Sequence, residues 1–189
     1  MDDGTGRFLA AVNALPDSGF GAPTALPGWT RAHLVAHVHH NAEALMRLLH
    51  WARTGERTPM YASAGQRRAE IEEGALLPAP RLRTLVHDSA VELASAVDGL
   101  PDGAWDNEVV TAQGRTVPAR EVLWMRTREV AVHAVDLEAG TGFADLPAGL
   151  NAALAADAAR KHANGGDGAA VAAWLTGRTA EAPRLGPWL

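Results

Sequence analysis

Apolar and polar positions recur with a helical period along most of this chain, and one segment departs from the usual two-faced pattern. Between Pro118 and Glu138, the residues Arg126, Glu129, His133 and Asp136 fall on one narrow side. At about 100° per residue, Glu129 and His133 lie within roughly 40° of each other, one turn apart. Most of the remaining circumference is apolar: Leu123, Trp124, Val130, Ala131, Val132, Ala134, Val135 and Leu137. A helix that is apolar nearly all round is normally buried, and buried charge is costly unless it is paired or bound to a metal. The stripe therefore needs a partner, and a Glu/His pair at i, i+4 suits a divalent metal.

The other elements follow from periodicity and punctuation. Arg7 to Leu15 predicts a short amphipathic helix stopped by Pro16, and Asp17 to Gly28 is turn-rich. Thr30 is placed to cap a long second helix that runs to Thr54 and stops at Gly55. A loop from Arg57 to Gly65 precedes a short helix, Gln66 to Glu73, ending at Gly74. Pro80 to Val97 predicts a further long helix with Leu82, Leu85, Val86, Ser89, Leu93 and Val97 on one side. Val109-Val110 and Thr116-Val117 flank Gln113-Gly114 as a short hairpin. Pro118 suits the first turn of the striped helix. Beyond Gly140 the chain becomes Ala-rich, with helices over Pro147 to His162 and Gly168 to Leu175 separated by a turn at Asn164 to Asp167. Long helices with little strand pattern predict a mainly all-α fold, a helical bundle, whose interior commonly holds metal sites built from facing helices.

The second helix offers the facing ligand. With Leu34 at zero on the wheel, Val38, Asn41, Leu45, Leu48 and Leu49 lie within roughly 60° of it. His37 sits at the edge of this core face, His33 is further round near His40, and His39 points the opposite way. His37, Glu129 and His133 together would make a His₂Glu set, and three protein ligands with an open fourth position is the pattern of a catalytic zinc. Spacing alone leaves other readings open. His33 pairs with His37 at i, i+4 and is an alternative ligand. A histidine at a core edge is commonly just hydrogen-bonded. Glu129 and His133 could form a surface pair with Arg126, an interaction worth only about 0.3–0.5 kcal/mol.

Composition narrows the chemistry. The 189 residues fit one domain or one domain with a small appendage, and at 47% hydrophobic they can build a core. No apolar run is long enough to span a bilayer, and Met1 to Gly6 lacks the basic and apolar regions of a signal peptide; a cytoplasmic protein is expected. A net charge of −5 gives nucleic acid no electrostatic purchase. There is no cysteine, so any thiol chemistry needs a thiol from outside the chain.

Three motifs carry a family resemblance. The run from Leu26 to His37 (Leu-Pro-Gly-Trp-Thr-Arg-Ala-His-Leu-Val-Ala-His), followed by Asn41-Ala42, resembles the N-terminal motif of the mycothiol-dependent maleylpyruvate isomerase family. So do Met60-Tyr61 with Arg67, Ile71-Glu72 and Gly74-Ala75, and so does the run from Arg126 to Leu137. The likeness extends from Phe8 to Pro147 and resumes at Trp174 to Arg178 and at Leu185 to Leu189. It implies a DinB-like four-helix bundle over residues 1–141. It implies a zinc held by His37, Glu129 and His133, in agreement with the wheel. Family members carry a small α/β domain before the Trp-Leu-Thr-Gly-Arg motif; here residues 142–189 read as a reduced version with the strand-forming part missing.

The resemblance further implies a cis–trans isomerase acting on maleylpyruvate or a similar unsaturated keto diacid, with mycothiol as cosubstrate. Thiolate addition would turn the double bond into a single bond, and rotation and elimination would return the thiol. Arg67 and Arg178 are the candidate clamps for substrate carboxylates, since guanidinium grips carboxylate in bidentate fashion. Asn41 would bind the thiol cofactor or make a plain helix–helix hydrogen bond, and Tyr61 would wall the pocket. Asp136 is placed to accept an imidazole N–H from His133. Six tryptophans read as packing. Two alternatives use the same residues: a mycothiol S-transferase that keeps the thioether, and a non-catalytic metal-stabilised module in which His33 or His40 closes the coordination shell.

Overall fold

Thr30 and Gly55 frame the longest helix of the computed structural model, which describes residues 2–186 and 188; Met1, Pro187 and Leu189 lie outside the described residues. Thr30 is extended and forms a reciprocal capping box with His33, and Gly55 adopts the left-handed conformation at φ 76° with its N–H on the Trp51 carbonyl. Between them runs α2 (Arg31–Thr54). The first helix, α1 (Asp2–Ala14), starts five residues before the sequence pattern and ends ahead of Pro16. Ser63 caps α3 (Ala64–Ala75) by accepting from the Gln66 N–H, and Pro80 occupies the first turn of α4 (Ala79–Asp98).

The expected hairpin forms as β1 (Glu108–Val110) and β2 (Thr116–Pro118), antiparallel with Val109 opposite Val117 and both buried. Pro118 is the one clear misplacement in the sequence reading. It ends β2, and the striped helix, α5 (Glu121–Asp136), begins three residues later. The reason is local. Ala119 and Arg120 donate their N–H groups to Asn107 and Trp105, which ties them to the preceding 3₁₀ turn, while a proline, having no N–H to donate, is tolerated at the end of an edge strand.

Four helices close a ring: α1 packs on α4 and α5, and α2 packs on the same two from the other side, with the short α3 laid along α2. The α3 approach is close. A Cβ on Gly74 would lie 2.7 Å from the Ala36 Cβ. The core has two apolar clusters, one around Phe8, Val12, Leu34, Val38, Val86 and Val130, the other around Leu45, Leu48, Leu93, Val109 and Val122. Along α2 and α5 the changeover falls at Asn41 and Arg126, and these two polar side chains meet there. No residue of α5 is exposed, as its nearly unbroken apolar pattern requires.

The chain divides into two compact units, residues 1–142 and 143–189. The second contains α6 (Ala148–His162) and α7 (Gly168–Leu175), joined by a wide turn in which Gly166 takes φ 113°. Its described residues form no strand. Among the described residues, no helix is long and apolar enough to cross a membrane.

Candidate metal centre

Two neighbouring helices supply the centre. From α2, His37 points its Nε2 at Glu129 Oε1 of α5, 2.5 Å away. One turn on, His133 Nε2 lies 3.3 Å from the same oxygen. The imidazole rings are 5.2 Å apart, edge to face. All three side chains are withdrawn from solvent, Glu129 being the most open with 12% of its side chain accessible. One donor atom from each lies within 4.8 Å of the others.

The outer ring nitrogens are also engaged. His133 Nδ1 is 2.8 Å from Asp136 Oδ2, three residues along the same helix, so Asp136 fixes the tautomer with a proton on Nδ1 and leaves Nε2 turned inward. His37 Nδ1 faces the Arg67 Nη2 at 3.3 Å. The Trp29 ring lies 5.3 Å from the His37 ring, brought there by the loop that ends in the Thr30 cap. Sequence reading assigned Trp29 to packing only. Its place just ahead of the helix that carries His37, eight residues before it, was the available signal.

Beneath the triad lies Arg126, 1% exposed, donating Nη1 to the Val38 carbonyl at 2.9 Å and to Asn41 Oδ1 at 3.1 Å. Its Nε has no partner. Burial lowers its pKa to about 10, still charged at neutral pH, and the Glu129 carboxylate works the other way. Burial likewise works against ionised Glu129, but hydrogen bonds and charge from His133 and His37 hold its carboxyl well below the usual range. For His133, burial favours the neutral ring; the hydrogen bonds to Asp136 and Glu129 outweigh it and raise the pKa to about 9. Burial dominates at His37 and lowers its pKa, against the pull of Glu129.

These residues fit a divalent cation. Two imidazole nitrogens and a carboxylate oxygen is a standard zinc donor set, and the outward hydrogen bond on His133 is what metal-ligating histidines make. A single carboxylate oxygen now serves two inward-facing Nε2 atoms, the arrangement a cation would take over. Neither proposed closing ligand turns inward: His33 Nδ1 is in the capping box with Nε2 3.3 Å from Glu72, and His40 Nδ1 is 2.9 Å from Glu43. Among the described residues the group that includes His37 has three members, which leaves positions open.

The other expected residues divide. Arg67 is half-buried at the triad, its guanidinium 5.7 Å from the centre of the Tyr61 ring, while neighbouring Arg68 is exposed. Tyr61 lies between Arg67 and Arg47, the latter 5.9 Å away and anchoring the loop through Nε to the Met60 carbonyl at 2.8 Å. Burial raises the Tyr61 pKa. Sequence reading did not single out Arg47; its place on α2 three turns beyond His37 gave no periodic signal. The Asn41 oxygen is engaged by Arg126, the helix–helix hydrogen bond that was the alternative to thiol binding. Arg178 belongs to the second unit, is exposed, and donates to the carbonyl of Thr176.

The family described as Mycothiol maleylpyruvate isomerase N-terminal domain matches residues 1–138. The crystal structure of a mycothiol-dependent maleylpyruvate isomerase is similar over 87% of this chain and 69% of its own, with 44% identity and a TM-score of 0.82. A histidine-to-alanine mutant of such an enzyme gives the same coverage and TM-score at 43% identity. No curated protein matches the chain.

Proposed function

We propose, from the premise that this chain belongs to the mycothiol-dependent maleylpyruvate isomerase family, that it isomerises the cis double bond of maleylpyruvate or a similar unsaturated keto diacid, using a divalent metal, zinc, and mycothiol. The convergence of His37, Glu129 and His133 in a buried site with open positions carries the reading. A cis alkene cannot rotate. Reversible thiolate addition to the conjugated bond makes it single, and elimination after rotation releases the trans isomer and the thiol. The chain has no cysteine, so the nucleophile must come from outside. When bound, a zinc ion supplies the Lewis acidity that keeps a thiol deprotonated near neutral pH.

The chain's own residues do the rest. Asp136 holds the His133 imidazole in orientation. Arg126 places a fixed positive charge below Glu129 and ties α5 to α2. Arg67 grips a substrate carboxylate. When His37 serves as a ligand through Nε2, its proton sits on Nδ1, which makes Arg67 a competing donor and releases the guanidinium for that task. Tyr61 and Trp29 wall the site and exclude water, and Asn41 positions Arg126. Arg178 is assigned the second carboxylate. A low-molecular-weight thiol and a small carboxylate are thus the partners, and a reduced thiol cosubstrate suits a cytoplasmic location.

Metal analysis of the purified protein, followed by a maleylpyruvate assay with and without mycothiol, tests the proposal. Trans product with the thiol recovered supports isomerisation. A stable thioether identifies an S-transferase instead, and a metal-free protein with no turnover removes the enzymatic reading.

A further inference from the structure

We infer that His39, His40 and Glu43 form a second, weaker site for a first-row divalent cation on the outer side of α2. The three donors come from one helix at i, i+1 and i+4, and one donor atom from each lies within 4.8 Å of the others. His40 Nδ1 is 2.9 Å from Glu43 Oε2, and His39 Nε2 is 3.7 Å from Glu43 Oε1. Zinc–ligand bonds of about 2.0–2.2 Å place neighbouring ligands roughly 3.0–3.6 Å apart in octahedral or tetrahedral shells. The two separations, made to the two oxygens of the Glu43 carboxylate, lie just above and just below that range, within reach of side-chain rotation on a fixed backbone. The His39–Glu43 separation is too long for a hydrogen bond, and His39 Nδ1 is buried without a partner of ordinary geometry, with the Leu85 backbone near the ring. The nitrogen free to meet a cation is therefore His39 Nε2, with Nδ1 turned to the Leu85 backbone. Imidazole and carboxylate together suit zinc, nickel or copper rather than calcium or magnesium.

The site is separate from the triad. His37 faces α5, whereas His40 lies toward α3, its Nε2 3.8 Å from where a Gly74 Cβ would stand. Glu43 is the most open of the three at 38%, which leaves room for water to fill the remaining positions. Arg47 and Arg81 bear on Glu43 and His39 with positive charge and weaken cation binding. Two ligands are histidines, so affinity comes from a preset arrangement rather than from net negative charge. Other exposed pairs, His50 with Glu56 and His87 with Asp88, offer only two donors each.

Calorimetric titration of metal-free full-length protein with Zn²⁺ tests this. The expected result is a second equivalent bound about ten- to hundredfold more weakly than the first. It disappears in Glu43→Gln and in the His39→Ala/His40→Ala double variant, and it survives in His37→Ala/His133→Ala. Glu43→Gln keeps the shape of the side chain, so it decides the matter if the double variant fails to fold by circular dichroism. A second, weaker equivalent that persists in Glu43→Gln, or the absence of any equivalent that depends on these three residues, overturns the inference. Loss of the tight equivalent in His37→Ala/His133→Ala reports on the triad alone, so the two sites are judged separately.

Discussion

Replacing Gly74 by alanine is a one-methyl perturbation whose outcome follows from a single distance. The added Cβ would stand 2.7 Å from the Ala36 Cβ, where ordinary contacts begin at 3.4 Å. Ala36 is 1% exposed and its Cβ cannot rotate away, so α3 must shift outward by about 0.7 Å or more. Overpacking of this kind costs about 1–3 kcal/mol, and the better helix propensity of alanine returns at most about 1 kcal/mol. A net loss of about 1–2 kcal/mol is expected, which lowers Tm by roughly 2–8 °C for a chain of this size. Gly74 is seven residues from Arg67, two full turns, so both lie on the α3 face applied to α2, with buried Ile71 between them. The shift therefore carries the Arg67 guanidinium away from His37, and KM should rise more than kcat falls. The cycle with Ala36→Gly isolates the clash: the double variant regains the space, and a favourable coupling of about 1–2 kcal/mol is expected between two single variants that each destabilise. Thermal and urea unfolding measure it. A Gly74→Ala protein as stable as the parent, or a cycle with no coupling, would refute the claim that α3 is seated by backbone contact at this point.

The remaining predictions concern the triad. With His133 raised to about 9 in the folded metal-free protein and near 6.5 unfolded, its contribution is present in full below pH 6.5 and is lost as pH rises toward 9; by linkage this amounts to about 3 kcal/mol, and His133→Gln should flatten unfolding free energy over that window. Asp136→Asn should lower metal affinity about 10–100-fold with helix content unchanged, measured by chelator competition. His133→Ala should abolish tight metal binding and activity while circular dichroism stays near that of the parent. Arg67→Lys, which keeps the charge but loses the fork, should raise the KM for a carboxylate substrate about tenfold, and an unchanged KM would remove Arg67 from substrate binding.

How far the sequence reveals the site differs from residue to residue. Capping chemistry sets both ends of α2, because Thr30 and Gly55 act locally and their signals need no tertiary context. Local geometry also makes the i, i+4 relation of Glu129 and His133 and the i+3 reach of Asp136 readable. His37 stands out over His33 because a wheel separates inward from lateral positions, and the structure uses His33 in the cap. Contacts between segments far apart in the chain are invisible to periodicity. Arg126 reaches Asn41 across 85 positions, and nothing in either helix alone says which arginine is buried. The same holds for Arg67 against Arg68, which differ only in which side of α3 meets α2. Pro118 misled because its fixed φ serves an edge-strand end as well as a helix start.

Arg126 sets a charge bias on whatever approaches the triad. A guanidinium with a pKa of about 10 does not give up its proton at physiological pH, and no carboxylate is hydrogen-bonded to it. A doubly charged ion held by His37, Glu129 and His133 would have the Glu129 and Asp136 carboxylates to offset it, and with Arg126 the site would keep surplus positive charge in a poorly screened interior. Visitors bearing negative charge gain from that surplus, and neutral or cationic ones do not. The arginine thus biases the protein toward acidic reactants before any of them is touched.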